Sequence, residues 1–298
     1  MNWKKYQHWP ILASLSLAIN GLLIIVVLLL LMIPNNLNQK QGKDQANATL
    51  NNNNNNKHPL GNRTHIGYEG WINILAKEAE TAAIKQPKDL NILAGDSISL
   101  WFPPDLLPEG KTWLNQAISG ETTAGLLKRL KLFEKTKPKT IFVMIGINDL
   151  IAGTKDEEIL SHHRLILTYL RRVHPQTQIV LQSILPHGND KSSSTQRDRL
   201  LPIPNERIRQ LNEQLKLMAQ EKGTYFLDLY PLFSDPEGNL RSELSTDGLH
   251  LSQQGYLVWA SAIKLFSQLE LASERNDVTN KSESKVLSED IQDLGDKK

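Results

Sequence analysis

Short apolar runs alternate with longer segments of helical periodicity through the middle of the chain. The strongest runs, rich in β-branched residues, are Leu90–Ala94, Thr140–Ile145, Gln178–Ser183 and Thr224–Leu229, and a weaker one is Trp113–Ile118. Between these runs, apolar side chains recur at intervals of three and four residues, as on the buried face of a helix. Strands that alternate with helices are typical of a parallel sheet with both faces covered.

This pattern predicts one domain over residues 63–272. We expect a three-layer α/β/α sandwich with a five-stranded parallel sheet, of the flavodoxin-like type. The run Ile141–Ile145 is apolar throughout, as expected of a central strand buried on both faces. A last helix is predicted over Ser252–Leu269, with Ser252 as its N-cap.

The N-terminal segment follows a different pattern. Residues 11–33 are 23 positions without a charge, and a helix of that length is about 35 Å long, enough to cross a hydrocarbon core of about 30 Å. Lys4 and Lys5 precede it, which predicts residues 1–10 inside and the rest of the chain exported, periplasmic or extracellular. A cleaved signal peptide is the alternative, but its apolar region is usually shorter and no A-x-A-like site follows here. We therefore predict an uncleaved single-pass membrane anchor.

Two polar segments flank the predicted domain. Residues 34–62 contain eleven Asn and scarcely any apolar side chain, so they cannot bury enough surface to offset the entropy of ordering. We predict a disordered linker there. Residues 273–298, which are rich in Ser, Asp, Glu and Lys, are predicted to form a disordered charged tail.

Composition and charge exclude several classes of function. The chain has 298 residues, 34 Lys and Arg against 32 Asp and Glu, and no Cys. A formal net charge of +2 gives no electrostatic reason to expect a nucleic-acid partner. The absence of Cys excludes disulfides, thiolate zinc sites, iron–sulfur clusters and cysteine nucleophiles. No carboxylate cage accompanies the pair His162-His163, and adjacent helical residues point about 100° apart, so we predict no metal site there. We expect no organic cofactor either.

Polar clusters stand where the predicted strands end and where the last helix begins. They are Gly95–Ser99, Ser119–Thr122, Gly146–Asp149 and Asp247–Leu251. Because the carboxyl ends of parallel strands meet at one edge of a sheet, we expect the four clusters to converge on a single cleft.

Three residues of these clusters could perform nucleophilic catalysis. A serine hydroxyl such as that of Ser97 needs a base to take its proton. His250 is the natural base, and Asp247, three residues earlier, could hold its imidazole in the required tautomer. Each feature also has a simpler interpretation, because Gly-Asp-Ser is a common turn and Asp247 could merely cap the last helix.

Two further residues could stabilise a developing oxyanion. Gly120 follows a predicted strand, and its backbone N–H could point into the cleft. Asn148 carries a side-chain amide and follows the most apolar strand. Taken together with Ser97, His250 and Asp247, these residues supply a nucleophile, a base, its orienting acid and oxyanion donors.

The four clusters resemble the sequence blocks of the SGNH hydrolases, also called the GDSL-like lipase and esterase family. The blocks read, in order, GDSIS, ISGET, GINDL and DGLHLS, and the resemblance covers residues from about 90 to 268. It implies Ser97 as nucleophile, His250 as base and Asp247 as the residue that orients the imidazole. The implied oxyanion hole comprises the Ser97 and Gly120 backbone N–H groups and the Asn148 side chain.

The expected function is therefore that of a serine esterase or lipase that cleaves carboxylic esters through an acyl-enzyme. The family also implies alternatives, a carbohydrate O-acetylesterase or an O-acyltransferase acting on envelope glycans, and a noncatalytic binding protein on the same fold remains a rival. The acyl chain and the alcohol of the substrate stay undetermined.

Two segments near the predicted cleft have two interpretations each. The segment Trp101–Pro104 either packs in the core or forms an apolar wall for the substrate. The segment 187–204 is long, polar and bounded by prolines, which fits either a mobile flap over the cleft or an inert surface loop.

Overall fold

The computed structural model describes residues 67–272. The predicted anchor over 11–33, the linker over 34–62 and the tail over 273–298 lie outside the described residues. The five strands are β1 (Leu90–Gly95), β2 (Thr112–Asn115), β3 (Thr140–Met144), β4 (Gln178–Gln182) and β5 (Tyr225–Leu227). The α-helices are α1 (Tyr68–Lys85), α2 (Ser97–Leu100), α3 (Thr123–Arg129), α4 (Ile147–Ile151), α5 (Asp156–Val173), α6 (Ser194–Leu200), α7 (Asn205–Glu221), α8 (Tyr230–Phe233) and α9 (Gln253–Leu269).

All five strands pair in parallel, in the order β2-β1-β3-β4-β5. This order is the flavodoxin-like one, in which β2 is added on one side of β1 and β3, β4 and β5 follow on the other side. Every residue of β1 and of β3 is buried, which requires helices on both faces of the sheet. The predicted fold class is confirmed.

Two strands are shorter than the apolar runs suggest. The weak run Trp113–Ile118 does contain a strand, but β2 stops at Asn115, whose side-chain oxygen accepts a hydrogen bond from the Ala117 N–H and turns the chain. Strand β5 ends at Leu227, and beyond it the backbone N–H groups of Leu229 and Tyr230 donate to the Ser183 hydroxyl, which follows β4.

The last helix begins as predicted. Ser252 is the N-cap of α9, and its hydroxyl accepts a hydrogen bond from the Gly255 N–H. The helix is anchored to the sheet by Trp259, which is fully buried and donates its indole N–H to the Gln182 side chain at 2.7 Å. Within residues 67–272, no helix is both long enough and apolar enough to cross a bilayer.

The segment 187–204 is fixed at its base by a buried imidazole. The Nε2 of His187 lies 2.6 Å from the carbonyl oxygen of Ile203, and its Nδ1 lies 3.1 Å from the backbone N of Asn189. The Asn189 N–H must donate to Nδ1, so the proton of the neutral ring is on Nε2 and is donated to Ile203. The backbone of His187 is also held, by two hydrogen bonds with the side chain of Asn205.

Burial makes three imidazoles resist protonation. The side chains of His163, His174 and His187 are buried, and loss of hydration lowers the pKa of each. In the unfolded chain these groups titrate near a pKa of about 6.5. As the pH falls below that value, the unfolded chain binds protons at these three histidines and the folded chain does not. Acidification therefore lowers the free energy of unfolding.

We expect His187→Gln to weaken this pH dependence, because an amide does not titrate in this range. Urea unfolding at about pH 7.5 and about pH 5.5 would measure the free energy of unfolding of the parent and of the variant. The parent should lose more stability between the two pH values than the variant does. An equal loss in both proteins would mean that His187 does not contribute to the acid sensitivity.

Candidate active site

The carboxyl end of β1 leads directly into the short helix α2. Asp96 is the N-cap of α2, and its carboxylate accepts a hydrogen bond from the Ile98 N–H at 3.0 Å. Ser97 is the first helical residue and is only 5% exposed. A side chain at Gly95 would collide with the backbone oxygen of Met144 on the neighbouring strand, so this turn requires glycine.

The hydroxyl of Ser97 meets the imidazole of His250 across a separation of 153 residues in the chain. The Oγ of Ser97 lies 3.1 Å from Nε2 of His250, and Nδ1 of His250 lies 2.8 Å from Oδ2 of Asp247. The other carboxylate oxygen of Asp247 accepts the backbone N–H groups of Leu249 and His250. The structure therefore brings the three residues together in the order serine, imidazole, carboxylate.

The carboxylate of Asp247 stays ionised. Partial burial acts to raise its pKa, but hydrogen bonds from the His250 ring and from the backbone N–H groups of His250 and Leu249 outweigh burial and hold the pKa well below its usual range. An ionised carboxylate can only accept, so Nδ1 of His250 carries its proton toward Asp247. In the neutral ring, Nε2 is then free to accept the proton of Ser97.

Asp96 behaves in the opposite way. It is buried, and burial raises its pKa to about 7, although the hydrogen bond from Ile98 acts in the other direction. The nearby carboxylates of Asp149 and Glu121 raise the pKa further. The hydrogen bond from the Ile98 N–H is that of a helix N-cap, so Asp96 supports the turn that carries Ser97.

Gly120 and Asn148 are brought to the same edge of the sheet. Gly120 has φ +74°, and nothing lies within 4 Å of the place where a Cβ would stand. The side chain of Asn148, in the first turn of α4, donates to the backbone oxygen of Glu121 at 3.0 Å. One amide hydrogen of Asn148 is used in this way, which fixes the amide beside the Glu121–Thr122 peptide and leaves its second hydrogen available.

A second contact joins the same two segments. The buried carboxylate of Asp149 accepts the backbone N–H of Thr123 at 2.8 Å and also the Thr123 hydroxyl. That hydroxyl also lies 2.9 Å from Nδ1 of His162. Asp149 therefore ties α4 to the start of α3.

The adjacent histidines do not form a metal site. His162 bonds to Thr123, whereas Nδ1 of the buried His163 lies 2.9 Å from the carbonyl oxygen of Ile159 one helical turn earlier. Within residues 67–272, no cluster of three or more His, Asp or Glu side chains could hold a metal ion.

Glu121, the residue after Gly120, forms a buried ion pair that the sequence does not signal. The guanidinium of Arg129 contacts the carboxylate of Glu121 at 2.6 Å, and both side chains are less than 5% exposed. Arg129 also donates to the backbone oxygens of Gln116 and Gly95, which lie just past β2 and at the end of β1. One cation therefore holds together the chain segments that carry Ser97 and Gly120.

The segment 187–204 also contributes to the site. Its residues Gly188 and Ser193 donate backbone N–H groups to the backbone oxygens of Gly248 and Asp247. The side chain of Gln196, on α6, donates to the carboxylate of Asp247 at 3.2 Å. The segment is therefore a support for the Asp247–His250 turn, and nothing in the sequence near Gln196 signals this contact.

The two aromatic residues after α2 have different environments. Phe102 is 3% exposed and packs against the rings of Tyr256 and Trp259, whereas Trp101 is 52% exposed and lies against His250. Phe102 therefore packs in the core, whereas Trp101 lies beside the candidate base and is half exposed.

The segment that carries these residues is similar to known proteins. Residues 93–258 match the profile of the GDSL-like Lipase/Acylhydrolase family. Platelet-activating factor acetylhydrolase IB subunit alpha1 of Rattus norvegicus is 29% identical over 146 residues, 48% of this chain and 58% of that protein. N-acylneuraminate cytidylyltransferase of Streptococcus agalactiae serotype III (strain NEM316) is 27% identical over 201 residues, 66% of this chain and 41% of that protein. The chain thus spans less than two thirds of the length of these relatives.

Solved structures share the fold. A Streptococcus pneumonia protein, provisionally described as a platelet activating factor, is 29% identical with a TM-score of 0.56, over 65% of this chain and 94% of that one. A GDSL-like lipase from Bacteroides thetaiotaomicron VPI-5482 is 18% identical with a TM-score of 0.53, over 65% of this chain and 97% of that one. The family profile covers more than half of the chain, and the chain therefore belongs to the GDSL-like lipase/acylhydrolase family.

Proposed function

We propose that this ester hydrolase cleaves carboxylic esters through an acyl-enzyme on Ser97. The observation that carries the proposal is the continuous contact from Ser97 Oγ to His250 Nε2 and from His250 Nδ1 to Asp247. An unactivated hydroxyl is a poor nucleophile at neutral pH, and this contact provides the base that it needs.

In the first half-reaction, Ser97 Oγ attacks the ester carbonyl while His250 Nε2 takes the hydroxyl proton. The tetrahedral intermediate collapses when the bond to the alcohol oxygen breaks and His250 returns the proton to that oxygen. In the second half-reaction, His250 deprotonates a water molecule, which attacks the acyl carbon and releases the carboxylic acid. Ser97 recovers its proton from His250, so one ester and one water give one acid and one alcohol.

Negative charge develops on the carbonyl oxygen in both half-reactions. We assign its stabilisation to the backbone N–H groups of Ser97 and Gly120 and to the side-chain amide of Asn148. The open space at Gly120 and the fixed position of the Asn148 amide support this assignment. A single preorganised donor of this kind is worth about 2.7–4 kcal/mol.

The acyl group that we propose is short. The curated relative from Rattus norvegicus is named for the hydrolysis of an acetyl group, and it aligns with nearly half of this chain. Acetyl esters are therefore the first substrates to test.

We further propose that the enzyme is tethered to a membrane and faces away from the cytoplasm. The uncharged stretch 11–33, with Lys4 and Lys5 before it, supports both the span and its orientation. The Asn-rich composition of residues 34–62 is that of a spacer between the anchor and the catalytic domain.

Replacing the nucleophile should abolish activity without unfolding the domain. We expect Ser97→Ala to hydrolyse p-nitrophenyl acetate at least about 1,000-fold more slowly than the parent, because removal of the nucleophile leaves only binding and oxyanion stabilisation. A fluorophosphonate should label the parent covalently and should not label the variant. Equal rates or equal labelling in the two proteins would exclude Ser97 from the reaction.

The buried ion pair should affect both stability and rate. Arg129→Met leaves the Glu121 carboxylate buried and unpaired, which should cost about 3–5 kcal/mol of unfolding free energy. Adding Glu121→Gln should recover part of that loss, since no lone charge is left. The double variant should still show a kcat at least about fivefold below the parent, because the backbone oxygens of Gly95 and Gln116 lose their common donor.

Urea unfolding and initial rates with p-nitrophenyl acetate measure the two effects separately. A double variant that is no more stable than Arg129→Met would contradict the ion-pair argument. A parental kcat in the double variant would show that Arg129 does not position the site.

The tether can be tested by fractionation of cells that express the full chain. We expect the enzyme in the membrane fraction, resistant to high salt and degraded by protease added outside the cytoplasmic membrane. Deletion of residues 1–34 should release it into the soluble fraction. A full-length chain found in the soluble fraction would refute the anchor.

A further inference from the structure

The indole of Trp101 covers one face of the imidazole of His250. The two ring centroids are 4.4 Å apart and the ring planes meet at 37°. Trp101 directly follows α2, and its backbone N–H donates to the backbone carbonyl oxygen of Ser97 at 3.0 Å, which places Trp101 one helical turn after Ser97. About half of the Trp101 surface remains in contact with solvent, so part of the ring is available to a substrate.

The proposed reaction determines which part of a substrate this indole can meet. His250 Nε2 must reach the alcohol oxygen to return the proton, so the alcohol lies on the side of the site formed by His250. The carbonyl oxygen points the other way, toward Gly120 and Asn148. A surface that is continuous with the imidazole therefore borders the alcohol and not the acyl group.

We propose that Trp101 is the specificity-determining residue for the leaving alcohol, and that it packs against the flat face of a sugar ring. The inference rests on the proposed function and deepens it: the substrate class is an acylated carbohydrate. A rigid ring on a rigid indole buries apolar C–H surface at a small entropic cost, whereas an open-chain alcohol must be ordered to do so. The solvent beside Trp101 allows the hydroxyl groups of the sugar to stay hydrated.

A different role would give different kinetics. If Trp101 only stabilised the imidazolium form of His250, its loss would slow every ester by the same factor. If Trp101 binds the alcohol, its loss slows only esters whose alcohol packs on the indole. The value of kcat/KM reports acylation, during which the alcohol is still attached, and is therefore the quantity to compare.

The test uses the full chain and three acetyl esters: a monoacetylated methyl pyranoside, 2-methoxyethyl acetate and phenyl acetate. We expect Trp101→Leu to lower kcat/KM for the pyranoside about five- to tenfold and to leave the open-chain ester within about twofold of the parent. Trp101→Phe, which keeps a smaller aromatic face, should retain most of the preference for the pyranoside. Leu165→Ala truncates another half-exposed apolar side chain, on α5, and should leave the ratio between the esters unchanged.

Three outcomes would overturn the inference. They are no change with any ester, an equal loss with the pyranoside and the open-chain ester, and a loss confined to phenyl acetate, which would indicate an aryl alcohol. A parent that hydrolyses none of the esters and takes no fluorophosphonate label would instead refute the proposed function itself. A parent that is labelled and active, with the same ester ratio in Trp101→Leu, refutes the inference about Trp101 alone.

Discussion

Parallel pairing of five strands is the constraint on which the site depends. Because all strands run in one direction, the residues that follow β1, β2 and β3 emerge at the same edge of the sheet. The turn before α9 reaches that edge from the far end of the chain, and the contact between His250 and Ser97 closes the group. A sheet with one reversed central strand would send the corresponding cluster to the opposite edge, and no adjustment of side chains could bring it back.

The burial of each carboxylate at this edge of the sheet, and the hydrogen bonds and ion pairs that it accepts, set its pKa or balance its charge. Asp247 accepts three hydrogen bonds from its own turn and remains ionised, whereas Asp96 accepts one, is fully buried and has a pKa raised to about 7. Glu121 is buried as well, but the guanidinium of Arg129 balances its charge. These contacts hold the chain segments of the site before any substrate arrives, which is the condition for fixed dipoles to stabilise a transition state.

The sequence could predict the fold class and the candidate nucleophile, base and acid, because these rest on short-range patterns. Apolar periodicity marks strands and helices, and the spacing of Asp247 and His250 lies within one turn. It could not predict the contact of Gln196, because Asp247 lies 51 residues further along the chain. It could not predict the contacts of Arg129 either, because the backbone oxygens of Gln116 and Gly95 come together only when β1 and β2 pair. A charged residue on a short amphipathic helix is normally exposed, so the burial of Arg129 became visible only with its three partners in place. Trp101 and Phe102 are adjacent and both aromatic, and only the packing of α9 separates their environments.

The contact between Ser192 and Gly248 has a consequence for how such an enzyme can diversify. Gly248 has φ +89°, and a Cβ there would lie 2.6 Å from the Cα of Ser192. The two backbones are thus in direct apposition, so lengthening or reshaping the segment around Ser192 would displace the turn that carries His250. Under the proposed role of Trp101, substrate preference could instead change by exchange of that half-exposed side chain, which does not require the backbone around Gly248 to move.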